Sequence, residues 1–231
     1  MAFELPPEKK RIVVIGGYSQ GKTTVDNIAA AIETYHHKDT IATIDPFTCS
    51  SALKNPSILR RAIQKAEVAT LSLGFKALID AMDNREDSRP YTIDAFNPPI
   101  PTSIPSLIGR TGIKSWEMLK DTDKLAAQSY NRSSAAEFVA HAPTLVRAFF
   151  DISKFDAIKE ARDLREREIP IDLAYTNNDR YFTLTEEQKA FAEEARVRIF
   201  LLDGVHDELA LRPDETFRLY MEAKAIETES L

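Results

Sequence analysis

The sequence predicts an α/β domain: a mostly parallel sheet of about six strands with helices on both faces, interrupted by a helical insertion. Three observations predict it. Short apolar runs alternate with helical patterns over most of the chain, and strands joined through helices run parallel. A carboxylate, Asp179, and an imidazole, His206, stand just past successive apolar runs, Ile171–Tyr175 and Val197–Leu202, so parallel neighbours would bring them to one sheet edge. Ser72 follows a third run, Val68–Leu71, directly before a helical stretch, which gives the chain order Ser, Asp, His.

The elements follow in order. Ile12–Ile15 is the first strand, and Lys22–Tyr35 is a helix with Val25, Ile28, Ala29 and Ile32 on one stripe. Ile41–Ile44 is the second strand, stopped by Asp45-Pro46. Pro56–Ala66 is helical, with Pro suited to its first turn and Ile58, Leu59, Ala62 and Ile63 apolar. Val68–Leu71 is the third strand and Leu73–Met82 the next helix; Tyr91–Phe96 is the fourth strand, closed by Asn97-Pro98-Pro99. Ile171–Tyr175 and Val197–Leu202 are the fifth and sixth, and helices Thr185–Arg196 and Pro213–Ala223 flank the sixth.

Composition bounds the function. The 231 residues suffice for one α/β domain with an insertion. A formal net charge of -6 argues against a generic nucleic-acid binder, because phosphate contacts need excess Lys and Arg. The single cysteine, Cys49, excludes an intrachain disulfide. No apolar run approaches the ~20 residues that span a bilayer, and the opening MAFELPPEKKRI lacks a signal-peptide core. The expectation is a soluble cytoplasmic protein with neither a membrane nor a nucleic-acid partner.

Between Pro98 and Pro170 the alternation stops. Residues 100–112 are rich in Pro, Ser, Thr and Gly, whereas Trp116–Lys124, Ser134–Ala142, Pro143–Phe150 and Ile158–Glu168 have helical character. The domain division that follows is a core of residues 1–99 and 170–231 with a helical insertion over 100–169. Long insertions at strand ends often carry binding surfaces, so this one is expected to form a lid.

The stretch Ile12–Thr24, IVVIGGYSQGKTT, supports several incompatible readings. Gly16 to Thr23 fits the phosphate-binding pattern G-x-x-x-x-G-K-[ST] between a strand and a helix. In that reading Gly16 and Gly21 let backbone amides approach phosphate, Lys22 reaches the outer phosphates, Thr23 binds magnesium, and Asp45 assists. It implies an NTPase or kinase, although Thr176-Asn177-Asn178-Asp179 is a poor base-specificity motif. The overlapping Gly17-Tyr18-Ser19-Gln20-Gly21 fits G-x-S-x-G and makes Ser19 an alternative nucleophile, but on the first strand, without the strands that normally precede such a turn.

Ser72 is the stronger nucleophile candidate. A serine hydroxyl needs a base in reach and a third group to orient that base, and His206 and Asp179 supply them in order. Taken alone, a Ser between strand and helix is most often an N-cap, His after a strand is usually a surface residue, and Asp179 suits an Asx turn. Asp94, on the fourth strand, is a fallback orienting acid. No His, Cys and carboxylate cluster has metal-ligand spacing, so no metal or organic cofactor is expected.

From the first strand to about residue 222 the chain resembles the α/β-hydrolase superfamily, on Thr70-Leu71-Ser72-Leu73-Gly74, Asp179, and Gly204-Val205-His206 before a last helix. The resemblance implies a Ser72, Asp179, His206 triad, with an oxyanion held by the amides of Leu73 and of Tyr18, after Gly16-Gly17. Thr70 stands where the family has the first Gly of its elbow, Leu71 where many relatives carry His, and Gly16 where a His is usual. The implied activity is serine hydrolysis of a small or medium carboxylic ester. The different-class alternative is a non-catalytic interaction protein on the same fold.

Overall fold

The structure, a computed structural model, describes residues 11–17, 22–36, 40–44, 56–82, 89–103, 105–106, 150, 152–179, 181–206 and 208–229. In chain order its elements are β1 (Arg11–Ile15), α1 (Lys22–Tyr35), β2 (Thr40–Ile44), α2 (Pro56–Ile63), β3 (Glu67–Leu71), α3 (Gly74–Ala81) and β4 (Thr92–Phe96). Then follow α4 (Ala157–Glu166), β5 (Ile171–Thr176), α5 (Glu186–Glu194), β6 (Arg198–Leu202), α6 (Glu208–Leu211) and α7 (Pro213–Glu229). The six strands form one sheet in the order β2-β1-β3-β4-β5-β6, and every pairing is parallel. The predicted α/β class and all six strands are present.

The chain starts at β1, steps out to β2, then crosses back to β3 and continues to β6. The winding reverses between β1 and β3. Helix α1 leaves β1 for the face that also carries α6 and α7, whereas α3 leaves β3 for the face with α2, α4 and α5. In open α/β sheets, diverging connections at such a reversal open the crevice where ligands bind.

Two apolar layers sandwich the sheet. Val13, Val68, Ile93 and Ile171 lie in one register row and pack under α2–α5. The intervening row, Val14, Ala69, Asp94, Asp172 and Arg198, faces α1 and α7 and turns charged toward β6. There Arg198 donates twice to Asp172, at 2.7 and 2.7 Å. Lys224 of α7 reaches Asp94 at 2.9 Å and Asp172 at 2.8 Å, and the Tyr220 hydroxyl donates to Asp94 at 2.7 Å. Two carboxylates meet two cations, so the cluster closes on itself and pins α7 to the sheet.

Several boundaries differ from those expected, each for a local reason. Helices α2, α4 and α5 end early because Lys65, Glu168 and Arg196 adopt left-handed backbone, with φ of 52°, 60° and 55°. The amides beyond turn back on the helix, as Ile169 N–H does to Leu164 O and Val197 N–H to Ala192 O, both at 3.0 Å or less. This is a Schellman stop without its usual glycine. Helix α7 runs past Ala223 to Glu229, since its continuation is made of good helix formers.

The tail of the 100–169 interval is core. Ala157, Ile158, Ala161 and Leu164 of α4, with Ile100, Ile152 and Phe155, are buried in the layer beneath β4 and β5. Asp156 starts α4 by accepting from the amides of Ile158 and Lys159. The expected helices Trp116–Lys124 and Ser134–Ala142, and most of Pro143–Phe150, lie outside the described residues, as does Cys49. Among the described residues no helix is long and apolar enough to cross a membrane.

Arg196→Gly removes the left-handed penalty at an exposed position and is expected to stabilise by about 0.5–1 kcal/mol, or ~1–4 °C in a thermal melt. Lys224→Met is expected to destabilise by about 1–3 kcal/mol in urea unfolding, because it strips a partner from two carboxylates. Burial lowers the Lys224 pKa, but Asp94 and Asp172 outweigh it and raise the group above its ordinary 10.5. The folded state then favours the charged lysine. Its contribution is whole below 10.5 and disappears as pH rises through the raised value, so the wild type should lose more of its stability in strong alkali than Lys224→Met.

Candidate active site

Strands β3, β4, β5 and β6 end side by side, and the residues just past them are Ser72, Asn97, Asn177 to Asp179, and Asp203 to His206. Asp179 is 2% exposed, and its carboxylate is divided between two tasks. Oδ1 accepts from the amides of Tyr181 at 2.7 Å and Phe182 at 3.0 Å. Oδ2 lies 2.6 Å from His206 Nδ1. The Asx turn and the imidazole partner are thus the same residue, one oxygen each. A carboxylate only accepts, so the proton of the neutral ring belongs on Nδ1 and Nε2 is left as the basic nitrogen.

Aromatic rings wall the imidazole. Tyr181 lies 4.8 Å from it, centroid to centroid, and Phe182 5.2 Å on an edge-to-face approach. Only 10% of the His206 side chain is exposed, which strengthens its bond to Asp179 by excluding water. Beneath, burial first, then the charges of Asp179 and Asp156, hold the Tyr175 phenol well above its ordinary range. It stays neutral and adds no charge under the site.

The His206 loop is tied down residue by residue. Asn177 Nδ2 donates to Asp203 at 2.6 Å, and Asn177 Oδ1 accepts from the Gly204 amide. Gly204 has φ of 137°, which L side chains rarely adopt, and a Cβ there would collide with the Glu208 side chain. The buried Glu208 accepts from the Val205 amide at 3.0 Å, and its other oxygen lies 2.9 Å from Arg212. Asn97 donates its carboxamide N–H to the His206 carbonyl.

Ser72 sits on the strand-to-helix turn with φ of 45°. A non-Gly residue there stores about 1–3 kcal/mol of strain, tolerated where surroundings over-determine the backbone. They do: the Ser72 amide donates to Phe96 O at 2.7 Å, and the Phe75 amide donates to Ser72 O. Ser72 is partly exposed, while Leu73 and Gly74 behind it are buried. Leu73 opens α3, where first-turn amides have no intrahelical acceptor. A Cβ on Gly74 would lie 2.6 Å from Gly16 O and 2.7 Å from Ile15 O. Gly74, the last residue of the Thr70–Gly74 stretch, must be glycine because α3 starts against the exit of β1.

Of the residues expected at the site, the structure brings Asp179 and His206 into hydrogen-bond contact. It places Ser72 and Leu73 at the same sheet edge. Tyr18, Ser19, Gly21 and Asp45 lie outside the described residues, and so does the side chain of Lys22. Asp94 is corrected: it is a mid-strand residue committed to Tyr220 and Lys224 on the α7 face, and cannot orient His206. Four contributors escaped the sequence: Asn97, Tyr181, Phe182 and Glu208. Asn97 was legible only as a strand stop before two prolines, and Glu208 only as the second residue after a histidine.

Solved structures resemble the chain over nearly its whole length. A carboxylesterase from Nitrososphaera gargenis has a TM-score of 0.63 at 14% identity, covering 97% of this chain and 93% of that one. The N-formylmaleamic acid deformylase of Pseudomonas putida S16 has a TM-score of 0.63 at 11% identity, covering 96% and 93%. The enol-lactonase of Burkholderia xenovorans LB400 has a TM-score of 0.56 at 15% identity, covering 94% and 92%. The chain has the α/β-hydrolase fold. No family model matches it, and no curated protein matches it in sequence.

Of the phosphate-loop reading of Gly16, Gly21, Lys22 and Thr23, residues 18–21 and the Lys22 side chain lie outside the described residues. The Gly16 amide donates to Ile44 O at 2.8 Å, continuing the sheet rather than facing an anion. Its carbonyl side is occupied by Gly74. Gly74→Ala is therefore expected to cost about 1–3 kcal/mol in urea unfolding, since backbone rather than a flexible side chain must move.

Proposed function

We infer that the protein is a serine hydrolase acting on small or medium carboxylic esters. The observation that carries this reading is the Asp179–His206 contact, made at a sheet edge where Ser72 occupies a strained strand-to-helix turn. Ser72 Oγ attacks the ester carbonyl while His206 Nε2 takes its proton. The carbonyl becomes an oxyanion facing the Leu73 amide, with the Tyr18 amide as the second donor that the family resemblance implies. Such donors are worth roughly 3–4 kcal/mol each where measured. His206 returns the proton to the departing alcohol, leaving an acyl-Ser72. Water then attacks by the same route and releases the acid. Asp179 keeps the imidazole in the needed tautomer and stabilises the imidazolium. The similar solved structures named as a carboxylesterase and an enol-lactonase support ester-like substrates.

A fluorophosphonate probe is expected to label Ser72, located by peptide mapping. Hydrolysis of p-nitrophenyl acetate should fall by at least ~10³-fold in Ser72→Ala and in His206→Ala. Asp179→Asn should fold and lose about 10⁴-fold in kcat, because the amide favours the wrong tautomer. Labelling at Ser19 instead would move the nucleophile to the first loop. An unlabelled, folded protein would return the chain to the non-catalytic alternative.

A further inference from the structure

We propose that Asn97 is a positioning residue that carries His206 across the sheet edge to the nucleophile; the proposal rests on the serine-hydrolase reading of this site. Ser72 follows β3 and His206 follows β6, three strands away. At ~4.8 Å per strand the two strand ends stand about 14 Å apart. A loop continuing straight off β6 would leave the imidazole far from the serine.

The loop is instead drawn back in two steps. The first crosses the end of β5: Asn177 holds Asp203 and the Gly204 amide, and the Asn178 amide donates to Gly204 O at 3.1 Å. The second reaches the end of β4, where Asn97 Nδ2 donates to the His206 carbonyl. Strand β4 is the immediate neighbour of β3, and the carbonyl of Phe96, one residue before Asn97, receives the Ser72 amide. A short path of hydrogen bonds therefore links the nucleophile's backbone to that of the base, through residues 96 and 97.

Asn97 is built for one orientation. It is 5% exposed, its amide donates to Ala174 O at 2.7 Å, and its φ of 45° is one that Asn tolerates better than most side chains. Its Oδ1 accepts from the Thr176 amide at 2.9 Å. Because that partner can only donate, the carboxamide cannot flip, and Nδ2 is forced toward His206 O. Asp179 acts on the ring, through Nδ1. Asn97 acts on the backbone and sets how far Nε2 reaches toward Ser72.

The test uses Asn97→Asp and Asn97→Gly in the full chain. Asp keeps the acceptor for Thr176 and tolerates the backbone, but has no N–H for the His206 carbonyl. Gly removes both bonds without backbone strain. With p-nitrophenyl acetate, both variants are expected to lose about 10–100-fold in kcat, the scale of an ångström-sized misplacement, while KM stays within about threefold. The downfield proton resonance of His206 Nδ1, assigned by its loss in His206→Ala, should shift or broaden in folded variants. Wild-type kcat with an unmoved resonance in either folded variant overturns the proposal. In the wild type, the Asn97 carboxamide protons should exchange slowly with solvent; exchange as fast as in an exposed asparagine also overturns it, and needs no variant. Failure of the fluorophosphonate to label wild-type Ser72 sinks the hydrolase reading instead, while the resonance and exchange measurements still report on the Asn97 bond.

Discussion

The site depends on how Asp179 divides its carboxylate. One oxygen is consumed by two backbone amides, which fixes the turn and removes the side chain's freedom to rotate. The other is thereby aimed at His206 Nδ1. A carboxylate holding only the imidazole would be free to follow it; one held by amides makes the imidazole follow. The turn it builds also delivers Tyr181 and Phe182 to the ring it orients. Desolvation, orientation and tautomer choice thus come from one residue and the two that follow it closely, which gives the local sequence more influence than its length suggests.

Backbone strain in this chain has two uses. Among the described residues five non-glycine positions have left-handed φ: Lys65, Ser72, Asn97, Glu168 and Arg196. Three terminate helices, where glycine would serve better and nothing chemical is gained. The other two stand just past the ends of β3 and β4. Ser72 and Asn97 are strained at adjacent strand ends, and both are fixed by hydrogen bonds from neighbouring strands. A chain with seven glycines in 231 residues spends them sparingly. Gly74 and Gly204 are among the places where a side chain would have met other atoms at under 3 Å.

Much of the fold was legible because strand–helix alternation is a long-period signal that local errors do not erase. The strands around Ser72, Asp179 and His206 were visible as apolar runs that break at polar residues, and their order was visible along the chain. What the sequence hid was pairwise. Asp94 looked like an alternative orienting acid because its register partners, Asp172 and Arg198, and its α7 partners, Tyr220 and Lys224, are far away in the chain. Asn97 looked like punctuation because its partners are Thr176 and His206. The Gly16–Thr23 match to a phosphate loop is a one-dimensional pattern, and residues 18–21 of it lie outside the described residues. A strand followed by glycines and a helix is also what a loop packed against an elbow requires.

The departures from the elbow pattern can be weighed on the same terms. The first glycine of G-x-S-x-G is replaced by Thr70, and the second is kept as Gly74. The space restriction sits at the second, where α3 abuts the carbonyls of Ile15 and Gly16. Thr70 lies within β3, between Ile15 and Ala95 in the register, and the small Ala95 leaves room for a β-branched neighbour. Its cost is polar rather than steric: the buried Thr70 hydroxyl has no hydrogen-bond partner among the described residues, a penalty of about 1–3 kcal/mol against global stability. That penalty falls on the strand, one turn of the pleat below Ser72. It leaves the turn that sets the backbone angle of Ser72 as the same hydrogen bonds to Phe96 and Phe75 define it. A threonine in the first position therefore weakens the fold without moving the serine.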